Sequence, residues 1–133
     1  MNVRYIRPAD LFDAVPYAYA SVIEAGSLVF TAGACPLDSE GTIVGPGDYE
    51  AQARQAVDNL FVTLAAAGLS PTAVVKSTVY VVSDRREDLV RVWDVIRGAF
   101  GDHDPPSTLL GVSSLGWPEQ LVEIEAVAIG AIT

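Results

Sequence analysis

The order strand, strand, helix, strand, helix, strand, strand predicts a two-layer α+β domain with both helices on one face of a mostly antiparallel sheet. Three observations carry that expectation. Ala53, Val57, Leu60, Leu64 and Ala67 recur at spacings of four and three, which makes one apolar helical stripe. Val75–Val82 is dense in β-branched residues. Leu121–Ile129 alternates Glu123 and Glu125 with Val122, Ile124 and Ala126, the two-residue period of a strand.

The elements follow in chain order. Tyr19–Glu24, Ala25-Gly26 and Leu28–Ala32 have the composition of a strand, a turn and a strand, and are expected to form a hairpin. Asp38-Ser39-Glu40-Gly41 is a second turn. Asp48 suits a helix N-cap, with Glu50 in the first turn against the positive end of the dipole. Gly68 is placed to end that helix in a left-handed cap. Its polar residues Gln52, Gln55, Asp58 and Asn59 are expected to face solvent. A second helix runs from about Arg86 to Phe100, with Leu89, Trp93, Ile96 and Phe100 inward and Arg86, Asp94 and Arg97 outward. Ser107–Val112 and Leu121–Ile129 complete the sheet. Glu123 and Glu125 fall on one strand face, roughly 7 Å apart. The segment 75–82 reads as apolar on both faces, so the face without helices predicts association between copies.

Composition narrows the function. The 133 residues fit a single domain, residues 1–133, and carry a formal net charge of −9 from eight Lys+Arg and seventeen Asp+Glu. Nucleic acid is held mainly through cations on phosphate, and anionic membranes likewise, so neither partner is expected. No run approaches ~18 apolar residues, and the charged start Met1–Asp10 lacks the apolar core of a signal peptide. A lone Cys35 cannot form an intrachain disulfide. A cytoplasmic setting is the expectation. One Cys and one His, His103, are too few for a structural zinc site. Gly45-Pro46-Gly47 is a turn signal and not a phosphate loop, and no serine nucleophile elbow occurs.

A series of short stretches resembles the Rid family, the reactive intermediate deaminases also called YjgF-type or L-PSP-type proteins. They are Pro16-Tyr17, Leu28 through Leu37, Gln52 through Asn59, Ala65 through Leu69, Val75 through Val81, and Val122 through Ala128. In order they cover nearly the whole chain. The resemblance implies a chorismate-mutase-like fold and a homotrimer whose sheets face inward as a barrel. It further implies small-molecule clefts between subunits, hydrolysis of imines and enamines derived from amino acids, and no metal or organic cofactor. It places Glu123 as the catalytic candidate. The resemblance also places Tyr17, Ala32, Gly33, Cys35, Trp93, Ser107, Thr108 and Leu109 along the ligand-binding cleft.

The chain also departs from the family pattern. Where typical members carry Pro-x-Arg-Ser, with the Arg gripping a carboxylate, this chain has Pro105-Pro106-Ser107-Thr108. A guanidinium makes two charge-assisted bonds to a carboxylate and a hydroxyl at most one neutral bond. Losing a desolvated pair of that kind weakens carboxylate binding by about 2–5 kcal/mol. Ala32 and Ala34 stand for the family's Ser and Gln, Trp93 for an Asn, and Ile96 for a Tyr. Short insertions precede the second helix and surround Gly116-Trp117. The nearest cations in sequence, Arg91 and Arg97, are expected at the surface. A less anionic substrate is therefore the expectation.

Several residues keep two readings. Glu123 either positions water and moves protons, its pKa open to being raised in a dry pocket, or is a bonded interface carboxylate. Glu125 is expected to be structural. Tyr17 either donates to a ligand or packs at an interface, and Thr108 either contacts a ligand or only pairs in its strand. Ser107 offers a hydroxyl in place of the Arg. Cys35 is expected to be buried and inert, since a thiol nucleophile needs a base or a lowered pKa. His103 is expected in a solvated loop. Against the imine deaminase stands a non-catalytic small-molecule-binding or chaperone-like trimer. A ribonuclease is disfavoured by the negative charge.

Overall fold

In a computed structural model, which describes residues 2–131, the first helix, α1 (Tyr49–Ala66), starts where capping chemistry places it. The Asp48 carboxylate accepts the Ala51 N–H at 3.0 Å, one of the donors a helix start leaves free. At the other end Gly68 has φ +78°, and the Gly68 and Leu69 amides return to the Ala65 and Leu64 carbonyls. That pair of bonds is a Schellman cap. Ala53, Val57, Leu60 and Leu64 are fully buried, whereas Ala67 is the exposed C-cap residue. The second helix, α2 (Arg86–Phe100), buries Val92 and Ile96, with Leu89, Trp93 and Phe100 half-buried beside them.

The strands are β1 (Asn2–Ile6), β2 (Ala20–Ala25), β3 (Ser27–Phe30), β4 (Val74–Val82), β5 (Ser107–Val112) and β6 (Val122–Gly130). Four of them form one sheet in the order β3-β6-β4-β5. The β3–β6 and β6–β4 pairs are antiparallel, and β4–β5 is parallel. A parallel neighbour needs a crossover, which α2 supplies. Val79 and Val81 of β4 and Val122, Ile124, Ala126 and Ala128 of β6 share a core with the apolar residues of both helices. Each fully buried Val, Leu or Ile there contributes about 1.5–3 kcal/mol.

Strand alternation fixes what the other face carries. Lys76, Thr78 and Tyr80 of β4 and Glu123, Glu125 and Val127 of β6 are half-buried residues between buried ones. They stand on the face without helices, with Phe30 of β3, which is 70% exposed, and Leu110 of β5. This face is mixed. The expectation of a second apolar face fails because every other residue of β4 from Lys76 to Tyr80 is polar.

The expected hairpin of β2 with β3 does not form. A single residue, Gly26, joins the two strands at φ +137°, and the Ile129 side chain occupies the space a Cβ would take. β3 pairs with β6, and β2 pairs instead with β1, a strand hidden in the charged N-terminal sequence. The Tyr5 hydroxyl donates to the Val74 carbonyl at 3.0 Å and Ser21 Oγ to the Val75 carbonyl at 2.9 Å. These bonds tie the β1–β2 pair to the start of β4.

Two of the polar α1 residues expected in water are structural. Gln52 is 0% exposed; its amide donates to the Gly45 and Glu119 carbonyls and its oxygen accepts the Leu121 N–H at 2.7 Å. Asn59 donates to the Cys35 and Leu37 carbonyls at 2.8 and 2.9 Å, with its own oxygen accepting from Gln55. Replacing Gln52 leaves the Glu119 carbonyl and the Leu121 N–H without this partner, while the Gly45 carbonyl keeps the Asp48 N–H. Gln52→Leu is expected to lower unfolding free energy by about 2–4 kcal/mol in urea titration, with Asp48→Ala costing about 1 kcal/mol.

Candidate functional site

The half-buried carboxylate of Glu123 is held from three sides. Gln120 Nε2 donates to its Oε1 at 3.1 Å, and the Cys35 thiol donates to the same oxygen at 3.3 Å. On the third side lies the backbone of Gly33, where an added Cβ would come within 2.5 Å of the carboxylate carbon. Only glycine leaves this space, so the glycine and the acid form one unit. Ala34 bridges to Ile124 across the end of β6, which carries the Thr31–Cys35 segment over Glu123.

The supports of Glu123 are themselves fixed. Gln120 is buried; it also donates to the Val122 carbonyl at 3.0 Å and accepts the Trp117 N–H at 3.1 Å. Asn59 holds the Cys35 carbonyl from α1. Sequence reasoning missed Gln120, Gln52 and Asn59, because an amide in a polar segment carries no sign of the backbone groups it will meet. The Cys35 thiol pKa is pushed up to about 11, first by burial and then by Glu123. It is therefore a protonated donor at neutral pH, which fits the expected inert role and not a nucleophile.

Glu125, next on the same face, accepts a short hydrogen bond from the Tyr80 hydroxyl. That bond first, and burial second, raises the Tyr80 pKa. Ala32 is exposed between Thr31 and Gly33.

The other candidates gather elsewhere. Tyr17, Trp93, Ser107, Thr108 and Leu109 line a groove of about 400 Å³ along β5. The Ser107 hydroxyl makes a short hydrogen bond with Ser77, its direct partner in the parallel register. That places Ser107 on the helix side, whereas the exposed Thr108 points the other way and accepts from Lys76 Nζ at 2.7 Å. Tyr17 packs edge-on against Tyr19, with ring centroids 5.7 Å apart. Trp93 forms the groove wall from α2. Within one chain, Glu123 and Ser107 thus stand on opposite faces of the same sheet.

His103 is not a solvated loop residue. It is half-buried, Nε2 is 2.7 Å from the Val74 carbonyl, and its ring meets Tyr5 edge-on at 5.6 Å. Its partners lie at the start of β4 and not at Cys35. Arg91 is exposed as expected and pairs with Glu50 and Asp88. Among the described residues no three His, Cys, Asp or Glu side chains come together as a metal-ligating set, and no helix is long and apolar enough to cross a membrane.

Because Glu123 disfavours the thiolate, neutralising it lowers the Cys35 pKa. Alkylation of Cys35 in the folded wild type is expected to be slow at pH 8 and to keep accelerating through pH 10. Glu123→Gln is expected to speed it at pH 8. Mass-spectrometric rates across that range check both.

Residues 13–130 match the family model described as Endoribonuclease L-PSP. A RutC family protein of Pyrococcus horikoshii, PH0854, is 36% identical over 110 residues, spanning 83% of this chain and 85% of that protein. The 2-iminobutanoate/2-iminopropanoate deaminase of Escherichia coli is 32% identical over 115 residues, 84% of this chain and 86% of the enzyme. Among solved structures, the Rid family protein YyfB of Yersinia pestis superposes with a TM-score of 0.90 at 33% identity, covering 97% of this chain and 99% of that one. E. coli TdcF with bound serine gives a TM-score of 0.70 at 28% identity, covering 96% and 99%. With its fold and these matches in agreement, the chain belongs to the Rid family, the group described as Endoribonuclease L-PSP.

Proposed function

We propose that this protein is an imine or enamine deaminase whose site assembles between subunits of a homotrimer, with Glu123 as its acid–base residue. The observation that carries this reading is the fixed Glu123 carboxylate. One oxygen takes hydrogen bonds from Gln120 and Cys35, while a side-chain-free glycine lies beside the other. A positioned carboxylate of this kind can order a water and exchange protons with it. The deaminase name of the E. coli relative supports the reaction class.

The chemistry follows from the C=N bond. With the imine nitrogen protonated as the iminium, water oxygen adds to the carbon while one water proton passes to the Glu123 carboxylate, giving a neutral carbinolamine. Glu123 then gives that proton to the nitrogen, and as the C–N bond breaks the hydroxyl proton passes back to Glu123, so that a carbonyl compound and ammonia leave and Glu123 releases the remaining proton to solvent. No electrons change hands and no nucleophilic side chain is consumed.

Trimer assembly supplies what one chain lacks. The groove runs along the edge strand β5, lined by Ser107 from the helix side and Thr108 from the Glu123 side, and β4 separates it from β6 within one chain. Packing that sets the β5 edge of one copy beside the mixed face of the next would let the groove of one subunit meet the Glu123 of the other. Ser107, whose hydroxyl already bonds Ser77 and the Pro105 carbonyl, can offer the ligand at most one neutral hydrogen bond in exchange where the family has a guanidinium, which favours a substrate less anionic at that point. A non-catalytic binding trimer has the loss of that Arg in its favour, and the retained Glu123 cradle against it.

Glu123→Gln is expected to lower turnover of small imines, generated in a coupled amino-acid oxidase assay, by about 100-fold or more, with the oligomer intact by light scattering. Equal rates in variant and wild type would overturn the assignment. Mixed and reassembled subunits of Glu123→Gln and Tyr17→Phe/Ser107→Ala proteins are expected to regain part of the activity that each lacks alone. A monomer in solution would remove the intersubunit site.

A further inference from the structure

Just before β6 the chain takes one left-handed step. Glu119 has φ +65°, the one positive value at a non-glycine residue among the described residues, and its side chain is exposed. An L-residue adopts that conformation at a cost and keeps it only where its surroundings fix it. Here they do. Gln52 of α1 donates to the Glu119 carbonyl at 3.0 Å and accepts the Leu121 N–H at 2.7 Å, and the Val82 N–H of β4 donates to the Leu121 carbonyl at 2.8 Å. Both neighbours of Gln120 are thus held from the core, and Gln120 itself is 3% exposed. Its amide oxygen accepts the Trp117 N–H, while the two Nε2 protons go to the Val122 carbonyl and to Glu123 Oε1. Flipping the amide would set an oxygen against two oxygens and an NH2 against an N–H, so the nitrogen must face Glu123. With Cys35 also donating to Oε1, both described hydrogen bonds to this carboxylate fall on one oxygen, and the other oxygen lies over Gly33.

We infer that Gln120 is the positioning residue of the acid–base step: by occupying Glu123 Oε1 it makes Oε2 the oxygen that takes the proton from water and hands it to the substrate nitrogen. The left-handed turn at Glu119 is what aims Gln120 at the acid. Gln120 touches no reacting atom and acts only through Glu123. That role rests on Glu123 being the acid–base residue, and it adds which oxygen reacts and what orients it.

The test follows hydrolysis of the imine that L-amino-acid oxidase forms from leucine, between pH 6 and 9, with urea unfolding of each full-length variant alongside. Gln120→Met fills the same space without a donor and is expected to lower kcat about tenfold or more at every pH. Gln120→Glu keeps an acceptor for the Trp117 N–H but donates to Glu123 only while its new carboxyl is protonated. Its kcat is expected to approach wild type at pH 6 and to fall about tenfold or more below it by pH 9. The other titratable groups facing Glu123 are Cys35 and, across the register on β4, Tyr80; both stay protonated over that range. Glu119→Gly relieves the turn, so it is expected to hold or raise the urea midpoint and yet lower kcat about threefold or more, a split that a purely stabilising role would not produce. These last two variants keep the test decisive if Gln120→Met does not fold. Wild-type kcat in Gln120→Met, a wild-type pH profile in Gln120→Glu, or wild-type kcat in Glu119→Gly, each with Glu123→Gln inactive, would overturn the positioning role alone. Glu123→Gln turning over at the wild-type rate, or no turnover by wild type, would overturn the acid–base reading and the positioning role with it.

Discussion

Successive residues of a strand point to opposite sides, and along β6 that rule divides the whole molecule. Val122, Ile124, Ala126 and Ala128 go to the helices and are buried to within a few per cent. Glu123 and Glu125 cannot follow them, because an ionised carboxylate in that apolar layer would lack compensating partners. The same alternation that closes the core therefore delivers two acids to the face that α1 and α2 leave uncovered. A one-residue slip of β6 would bury both acids and expose four apolar side chains, so the register is strongly held.

Amides then convert a strand position into a positioned group. Gln52 fixes the 119–121 segment, and Gln120 in that segment reaches Glu123. Asn59 fixes the carbonyls of Cys35 and Leu37, and the Cys35 thiol reaches the same carboxylate oxygen. Two chains of neutral hydrogen bonds thus run from one helix to one acid. Both donors to the acid are neutral, so they fix the direction of the carboxylate without forming an ion pair with it.

Most of the fold was legible because periodicity and punctuation are local. The caps at Asp48 and Gly68, the limits of α2 and β5, and the alternation of β6 all appear where the sequence puts them. The pairing of β2 was not legible. Val22 and Ile23 suit a strand next to β1 as well as one next to β3, and nothing local declares that Gly26 is packed against Ile129. The candidate site was legible through the family pattern at Gly33, Cys35 and Glu123. The burial of Gln52 and of Gln120 was not, since both depend on which distant segment lies opposite. His103 shows the same limit: a loop composition of Gly, Asp and Pro concealed contacts with Tyr5 and Val74.

The joint at Gly26 bears on how such a chain can diverge. With one residue between two strands, an unusual backbone angle, and Ile129 and the Gly130 carbonyl filling the adjoining space, the position does not accept a side chain without a shift of its neighbours. Mutational drift is blocked at that point while the flanking strands remain free to change. Related chains that carry any other residue there would have to route their N-terminal strands differently, and so would present a different edge of the sheet to their neighbours.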